Sequence, residues 1–133
     1  MLNTMPNANA YANYKQASVE TATPEKLLLM LFDGGIKFLN QGKMAIEKKD
    51  YSEANKTLVK VQDILYELMV SLDVEKGGEM ASNLYKLYDF YRNEVMKANI
   101  SKDAELLPPV LEFLRLYRDM WAEAARKVRI GAK

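Results

Sequence analysis

The sequence predicts an all-α protein, an antiparallel up-down four-helix bundle preceded by an irregular N-terminal arm. Four segments repeat apolar residues at alternating spacings of three and four, which places those residues on one face of a helix. Short loops containing Gly, Pro, Asn or Asp separate the segments, and short loops join antiparallel neighbours in helical bundles. We therefore assign residues 1–22 to the arm and residues 23–130 to the bundle.

The arm is rich in Asn, Ala and Thr and carries no helical stripe, so we expect it to be flexible at least in part. Tyr11, Tyr14 and Val19 are apolar residues among its polar ones. They either dock on the chain's own bundle or form a detachable lid over a binding groove. The residues of the arm leave both interpretations open.

The first helix has a clear start, since Thr23 can cap it, Pro24 suits its first position and Glu25 faces the positive end of its dipole. We expect it to run to about Lys48. Its predicted core face is Leu28, Leu31, Gly35, Phe38, Gly42 and Ala45. Three glycines lower its helix propensity and predict close approach of a neighbouring helix: Gly34, Gly35 and Gly42.

Asp50 or Ser52 is expected to cap the second helix, which the sequence VEKGGEM ends through its two adjacent glycines. The third helix is expected over Glu79–Ala98, with Asn99 as a left-handed C-cap and Ile100 packed behind it. The predicted core face of the second helix is Ala54, Leu58, Val61, Leu65, Leu68 and Leu72. That of the third is Ala81, Leu84, Tyr88, Tyr91, Val95 and Ala98.

The fourth helix begins near Ser101 or Asp103, but two prolines beyond a first turn would delete backbone donors and kink it. We therefore expect a short turn at 103–107, followed by the main helix with Pro108 near its first position. The core face is predicted as Leu107, Val110, Leu114, Tyr117, Trp121, Ala124 and Val128. On this face Trp121 is expected to be a core anchor that makes no contact with a partner.

Composition excludes several functions. The chain has 133 residues, 19 Lys and Arg against 18 Asp and Glu, and a net charge of +1, which argues against a nucleic-acid binder. It has no Cys and no His, so thiolate sites, His-based catalysis and the Glu-x-x-His motifs of di-iron bundles are excluded. We expect no enzyme, no cofactor and no metal site. No apolar run is long enough to insert into a membrane and no secretory signal is evident, which favours a cytoplasmic location.

Each helix carries more apolar surface than one core stripe requires. The chain contains eight Met and eight Tyr, residue types that adapt to apolar partners and tolerate water when a groove is empty. The surplus includes Leu29, Phe32, Ile36, Leu39, Val59, Tyr66, Met69, Val70, Tyr85, Leu87, Phe90, Phe113, Leu116 and Met120. Any one of these residues could simply fill a gap in the core, but the set as a whole predicts a surface that binds another protein.

Three stretches carry a resemblance to a known family. Residues 14–40 read YKQASVETATPEKLLLMLFDGGIKFLN, residues 87–103 read LYDFYRNEVMKANISKD, and residues 114–122 read LRLYRDMWA. In this order, across residues 11–127, they resemble the flagellar secretion chaperone FliS family. The pair Pro108-Pro109 and the second adjacent glycine, Gly35, depart from the family pattern.

The resemblance implies a helical bundle in the bacterial cytosol that binds the C-terminal segment of flagellin. It further implies that binding prevents premature polymerisation, and that the segment is presented to components of the flagellar export apparatus. A segment that is disordered when free and folds on apolar grooves would explain the surplus apolar surface. The predicted partner-binding residues are Tyr11, Tyr14, Val19, Thr21, Phe32, Val59, Tyr66, Val70, Phe113, Leu116 and Met120.

A different class of function remains open at this point. The same apolar surface suits a structural bundle that self-associates, at least as a weak homodimer, or an adaptor protein. The sequence does not tell which helices form the groove, or which residues hold the arm and which contact a partner.

Overall fold

The computed structural model describes residues 23–131, and these residues form four α-helices and one short 3₁₀ turn. Helix α1 spans Pro24–Glu47, α2 spans Tyr51–Val70, α3 spans Val74–Ser101 and α4 spans Pro108–Gly131, with the 3₁₀ turn at Ala104–Leu106 before α4. The predicted all-α class is confirmed. The N-terminal arm, residues 1–22, lies outside the described residues.

Contacts between the helices define an antiparallel bundle. Gly35 faces Ile64 while Gly42, later in α1, faces Leu58, earlier in α2. Likewise α1 runs antiparallel to α4, α2 to α3, and α3 to α4. Each helix therefore has two antiparallel neighbours. The up-down-up-down arrangement expected from the short loops is therefore the one that the chain adopts.

Local capping fixes where the helices begin. The Thr23 hydroxyl accepts a hydrogen bond from the Lys26 N–H at 3.2 Å, and the Asp50 carboxylate accepts one from the Glu53 N–H at 3.2 Å. Of the two caps predicted for α2, Asp50 is the one used. The short turn expected at 103–107 is the 3₁₀ turn, and Pro108 is the first residue of α4, where its missing N–H costs nothing.

The C-terminal end of α3 differs from the prediction, whereas the main part of the helix starts after the non-helical Gly78, as expected, and is preceded by an extra turn. The helix begins at Val74, because Asp73 caps a first turn before Gly78 kinks the chain with φ 60° and ψ −139°. It continues to Ser101, and Lys102, not Asn99, is the left-handed C-cap. Asn99 stays helical because its buried amide donates to the Asn55 carboxamide oxygen at 2.9 Å.

The predicted core faces largely meet in one buried cluster that includes side chains from all four helices, but the last part of the α4 face is exposed at Ala124 and Val128. Its largest fully buried members are Phe32, Leu39, Leu58, Leu65, Leu68, Tyr88, Leu107 and Leu114. The expected close approach is found at Gly35 and Gly42, which are buried against α2, and Gly35 also against α4. Ile100, expected to pack behind the end of α3, is instead 78% exposed.

Candidate protein-binding groove

Helices α3 and α4 are the neighbours whose backbones approach each other least. Aromatic rings fill the seam between them: Tyr91 stacks on Phe113 with ring centroids 4.3 Å apart, and Phe113 lies 4.6 Å from Tyr117. Phe90 extends this row at 5.2 Å from Tyr91. Because these rings lie between the two helices, we infer that the seam forms an apolar channel along the surface.

We call this channel the α3–α4 groove. Leu116 and Met120 follow Phe113 by three and seven residues, which places them on the same face of α4. Leu87 precedes Tyr91 by four residues and shares its face of α3. The groove residues are Leu87, Phe90, Tyr91, Phe113, Leu116, Tyr117 and Met120.

The rim of the groove is unusually exposed for apolar side chains. Phe90 is 53% exposed, Leu116 56% and Met120 53%. Isolated exposed apolar residues are ordinary on a protein surface, but a contiguous set marks a contact for another molecule. Covering these three side chains would remove apolar area from water, which is worth about 25 cal/mol per Å².

The floor of the groove is connected to the core. Phe113 meets Tyr88 edge-on at 5.7 Å, and Tyr88 in turn lies 6.4 Å from Phe32 of α1. Tyr88 and Phe32 are fully buried. A row of packed rings therefore supports the groove from the centre of the bundle, so its shape is set before any partner arrives.

Trp121 lies at the end of the groove, and the prediction that it is a core anchor is wrong. Its side chain is 37% exposed. The hydroxyl of Tyr88, on the neighbouring helix, has a raised pKa because it is buried. An indole N–H needs a polar partner, which a position at the rim of the bundle supplies more readily than the core does.

The predicted partner-binding residues of α2 form a second apolar stripe. Val59, Tyr66 and Val70 are spaced by seven and four residues and so share one face of the helix. Tyr66 stacks against Arg92 of α3, whose guanidinium carbon lies 5.4 Å from the ring centroid. Phe113 contacts α3 through Tyr88 and Tyr91. The structure thus places the α2 and α4 stripes on two different sides of α3, and does not bring them together.

Burial separates the other predicted partner-binding residues. Phe32 and Phe113 belong to the buried cluster, so they support the surface from below and are not themselves available on it. Tyr11, Tyr14, Val19 and Thr21 fall outside the described residues. Leu116 and Met120 are the predicted residues that the groove exposes together.

The sequence places Leu87 and Phe90 in the surplus apolar set but not among the predicted partner-binding residues, and it places Tyr91 in the predicted core. Leu87, Phe90 and Tyr91 supply the α3 side of the groove, together with Tyr117 of α4. The surplus of apolar residues on the third helix was visible in the sequence. The sequence does not show which side of that helix borders the groove, because this depends on the separation of α3 and α4 that the aromatic rings set.

The chemistry of the groove is that of apolar binding. Across residues 23–131 no three His, Cys, Asp or Glu side chains are grouped so that they could hold a metal ion. The strongest polar link near the groove is structural, since the Arg118 Nε donates to the Asp33 carboxylate at 2.9 Å and ties α4 to α1. In the same described range, no helix has the combination of length and apolar character that crossing a membrane requires.

Comparison with known proteins gives one consistent result. The family model described as flagellar protein FliS matches residues 7–128. The flagellar secretion chaperone FliS of Bacillus subtilis is 36% identical over 121 residues, covering 91% of this chain and 90% of its own. Those of Vibrio cholerae and Salmonella typhimurium are 37% and 34% identical, covering 81% and 92% of this chain and 82% and 95% of their own.

A solved structure shares the fold. A crystal structure of a bacterial flagellar chaperone superposes with a TM-score of 0.73, covering 92% of this chain and 99% of that one, at 17% sequence identity.

Proposed function

The chain belongs to the flagellar protein FliS family, and from this premise we propose that it binds the C-terminal segment of flagellin in the α3–α4 groove. Binding there would keep the segment from polymerising and hold it ready for components of the flagellar type III export apparatus. The site of action would be the bacterial cytoplasm, where flagellin awaits export. No catalytic step is needed for this function.

One observation carries the proposal. Phe90 on α3 and Leu116 and Met120 on α4 are half-exposed apolar side chains beside the packed rings of Tyr91 and Phe113. An amphipathic helix recognises such a groove through apolar anchors spaced by three or four residues. The rigid floor lowers the cost of ordering the groove, so more of the contact energy is available for binding.

The same rim supports a chaperone role over simple storage. A segment that folds only on contact loses conformational entropy as it binds, which weakens its affinity for a given contact area. Such a complex releases its client, the protein it binds, more readily than a lock-and-key complex of the same area. Reversible capture is what a protein that delivers its client requires.

Charge placed on the rim tests the proposal. The double variant Leu116→Lys/Met120→Lys should weaken binding of a flagellin C-terminal peptide at least about tenfold, because each apolar anchor is worth on the order of 1.5–3 kcal/mol when fully buried. Met44→Lys is the matched control: Met44 is 52% exposed, but it lies on α1, outside the groove. Titration of the labelled peptide, with circular dichroism to check folding, measures both.

The control should bind within about twofold of the unmodified protein, on the scale set by surface changes that remove no contact. If the double variant stays folded and binds the peptide as tightly as the control does, the groove is not the binding site. If the groove variants instead dissociate a dimer while peptide binding is unchanged, the groove serves self-association, and a structural bundle becomes the better description.

A further inference from the structure

Arg92 is a partly buried arginine without an ion pair. It lies on the side of α3 that faces α2, over the ring of Tyr66. Its Nε is buried and has no hydrogen-bond partner. Arg118 and Arg126, by contrast, bond to carboxylates at 2.9 and 2.6 Å. Within residues 23–131, Arg92 is thus the arginine that combines burial with an unused donor.

The contact with Tyr66 satisfies only part of this side chain. The face of the ring attracts the cation, but the N–H donors of a guanidinium lie in its own plane and need an acceptor there. A buried donor without an acceptor is destabilising, and native structures rarely keep one without a reason. The natural acceptor for the planar fork of arginine is a carboxylate.

Nearby carboxylates of the chain do not fill this role. Asp89 lies one helical turn before Arg92 and makes no bond to it. Asp63 is engaged in an interaction of its own. Glu67 is partly buried on α2, where burial is the main cause that raises its pKa, and its carboxylate makes no ion pair with Arg92. Nε itself is buried, but the two terminal Nη groups are not among the buried atoms without a partner, and no bond to them is found within the described residues, so the end of the guanidinium is the part that a carboxylate from outside would meet.

The surroundings indicate what kind of segment would supply that carboxylate. Val59, Tyr66 and Val70 form the apolar stripe of α2 beside Arg92, and Val70 is 53% exposed. A segment lying on this face would meet the Arg92 cation beside the ring of Tyr66. The complementary chemistry is an acidic residue flanked by apolar residues at helical spacing.

We propose that Arg92 is the binding site for a carboxylate of the client, on the α2–α3 face. This inference rests on the proposed function and extends it, because the client would then contact α3 on two sides. The apolar groove would supply most of the affinity, while the Arg92 pair would fix which part of the client lies on α2. An interfacial charge pair of this kind contributes to register and specificity.

The test is a double-mutant cycle between the protein and the flagellin C-terminal peptide. On the protein, Arg92 is changed to Gln, and to Lys to keep the charge without the fork. On the peptide, each Asp or Glu is changed singly to Asn or Gln. Arg115→Gln is the matched control, since it removes the same charge from an exposed arginine of α4.

Arg92→Gln should weaken peptide binding about 10- to 100-fold, the range expected for a charged hydrogen bond. Arg92→Lys should recover only part of the loss, and Arg115→Gln should bind as the unmodified protein does. One peptide carboxylate should account for the effect: its removal should weaken binding to the unmodified protein but not further weaken binding to Arg92→Gln. The thermal midpoint of Arg92→Gln should change little, because the contact with Tyr66 that is lost is offset by removal of a buried donor without an acceptor.

Three results would overturn the inference. The first is Arg92→Gln binding like Arg115→Gln while the groove variants lose binding, which would leave the proposed function intact. The second is a loss that adds independently to every peptide carboxylate, which would make Arg92 a packing partner of Tyr66. The third is an unmodified protein that does not bind the peptide at all, which would remove the proposed function and this inference together.

Discussion

Gly42 shows how a single residue sets the spacing of two helices. A Cβ at this position would lie 2.5 Å from Cδ2 and 2.8 Å from Cγ of Leu58, and 3.0 Å from the hydroxyl oxygen of Thr57. Thr57 has little freedom to move, because it is buried and its hydroxyl donates to the Glu53 carbonyl at 3.0 Å. The absence of a side chain at Gly42 is therefore what allows α1 and α2 to pack this closely.

We predict that Gly42→Ala destabilises the protein by about 1–3 kcal/mol, the usual cost of overpacking a core. This loss should exceed the gain of roughly 1 kcal/mol in helix propensity. Gly35→Ala should cost less, since its new Cβ would meet the flexible end of Leu114 at 3.3 Å. Chemical denaturation of both variants measures the difference. A Gly42→Ala variant as stable as the unmodified protein would contradict the packing described.

At the scale of the element, local signals were predictable and long-range ones were not. The caps at Thr23 and Asp50 each depend on an N–H three residues away, and both predictions are confirmed. The end of α3 was predicted wrongly because Asn99 bonds to Asn55, 44 residues earlier, and so remains in the helix. Lys102 then takes the left-handed position and its Nζ donates to the Asn99 side chain at 2.6 Å.

The beginning of α3 gives a prediction at the same scale. Gly78 has φ 60° and ψ −139°, a conformation that residues with a Cβ rarely adopt. Gly78→Ala should therefore cost about 1–3 kcal/mol of stability, although a Cβ there would meet no other atom within 4 Å. Glu79→Ala, an exposed neighbour on α3, is the control and should change stability little. Denaturant melts that coincide for the two variants would show that the kink is not strained.

The sequence predicts the kind of surface that we propose for binding and two of its exposed residues. Leu116 and Met120 could be identified because α4 carries apolar residues beyond its core stripe. Phe32 was placed on the surface because a family motif contains it, although its position on α1 buries it. The α3 side of the groove could not be placed from the sequence, because its exposure depends on the separation of α3 and α4. The ring stack around Phe113 sets that separation.

At the scale of the whole molecule, an apolar groove that waits for a client needs protection from wrong partners. The arm carries Tyr11, Tyr14 and Val19, apolar residues on a segment with no helical stripe of its own. An arm that covers the empty groove would have to be displaced, and its docking free energy would lower the apparent affinity for the client. An arm that folds over the bound client would have the opposite effect.

We expect competition, because the free protein needs protection until a client arrives. Deletion of residues 1–17 should therefore tighten binding of the flagellin peptide modestly. The affinities of the truncated and full chains are compared by one titration method at one salt concentration. Weaker binding after deletion would make the arm part of the site. Equal affinity together with equal self-association would make it a passive tail.

The central claim is that the protein captures a flagellin segment by burying apolar surface in the α3–α4 groove. Calorimetric titration of the flagellin C-terminal peptide at several temperatures tests this claim most directly, because burial of apolar surface lowers the heat capacity. The account predicts a binding enthalpy that becomes steadily more negative with temperature, with a smaller slope for Leu116→Lys/Met120→Lys. A binding enthalpy that does not change with temperature would contradict it.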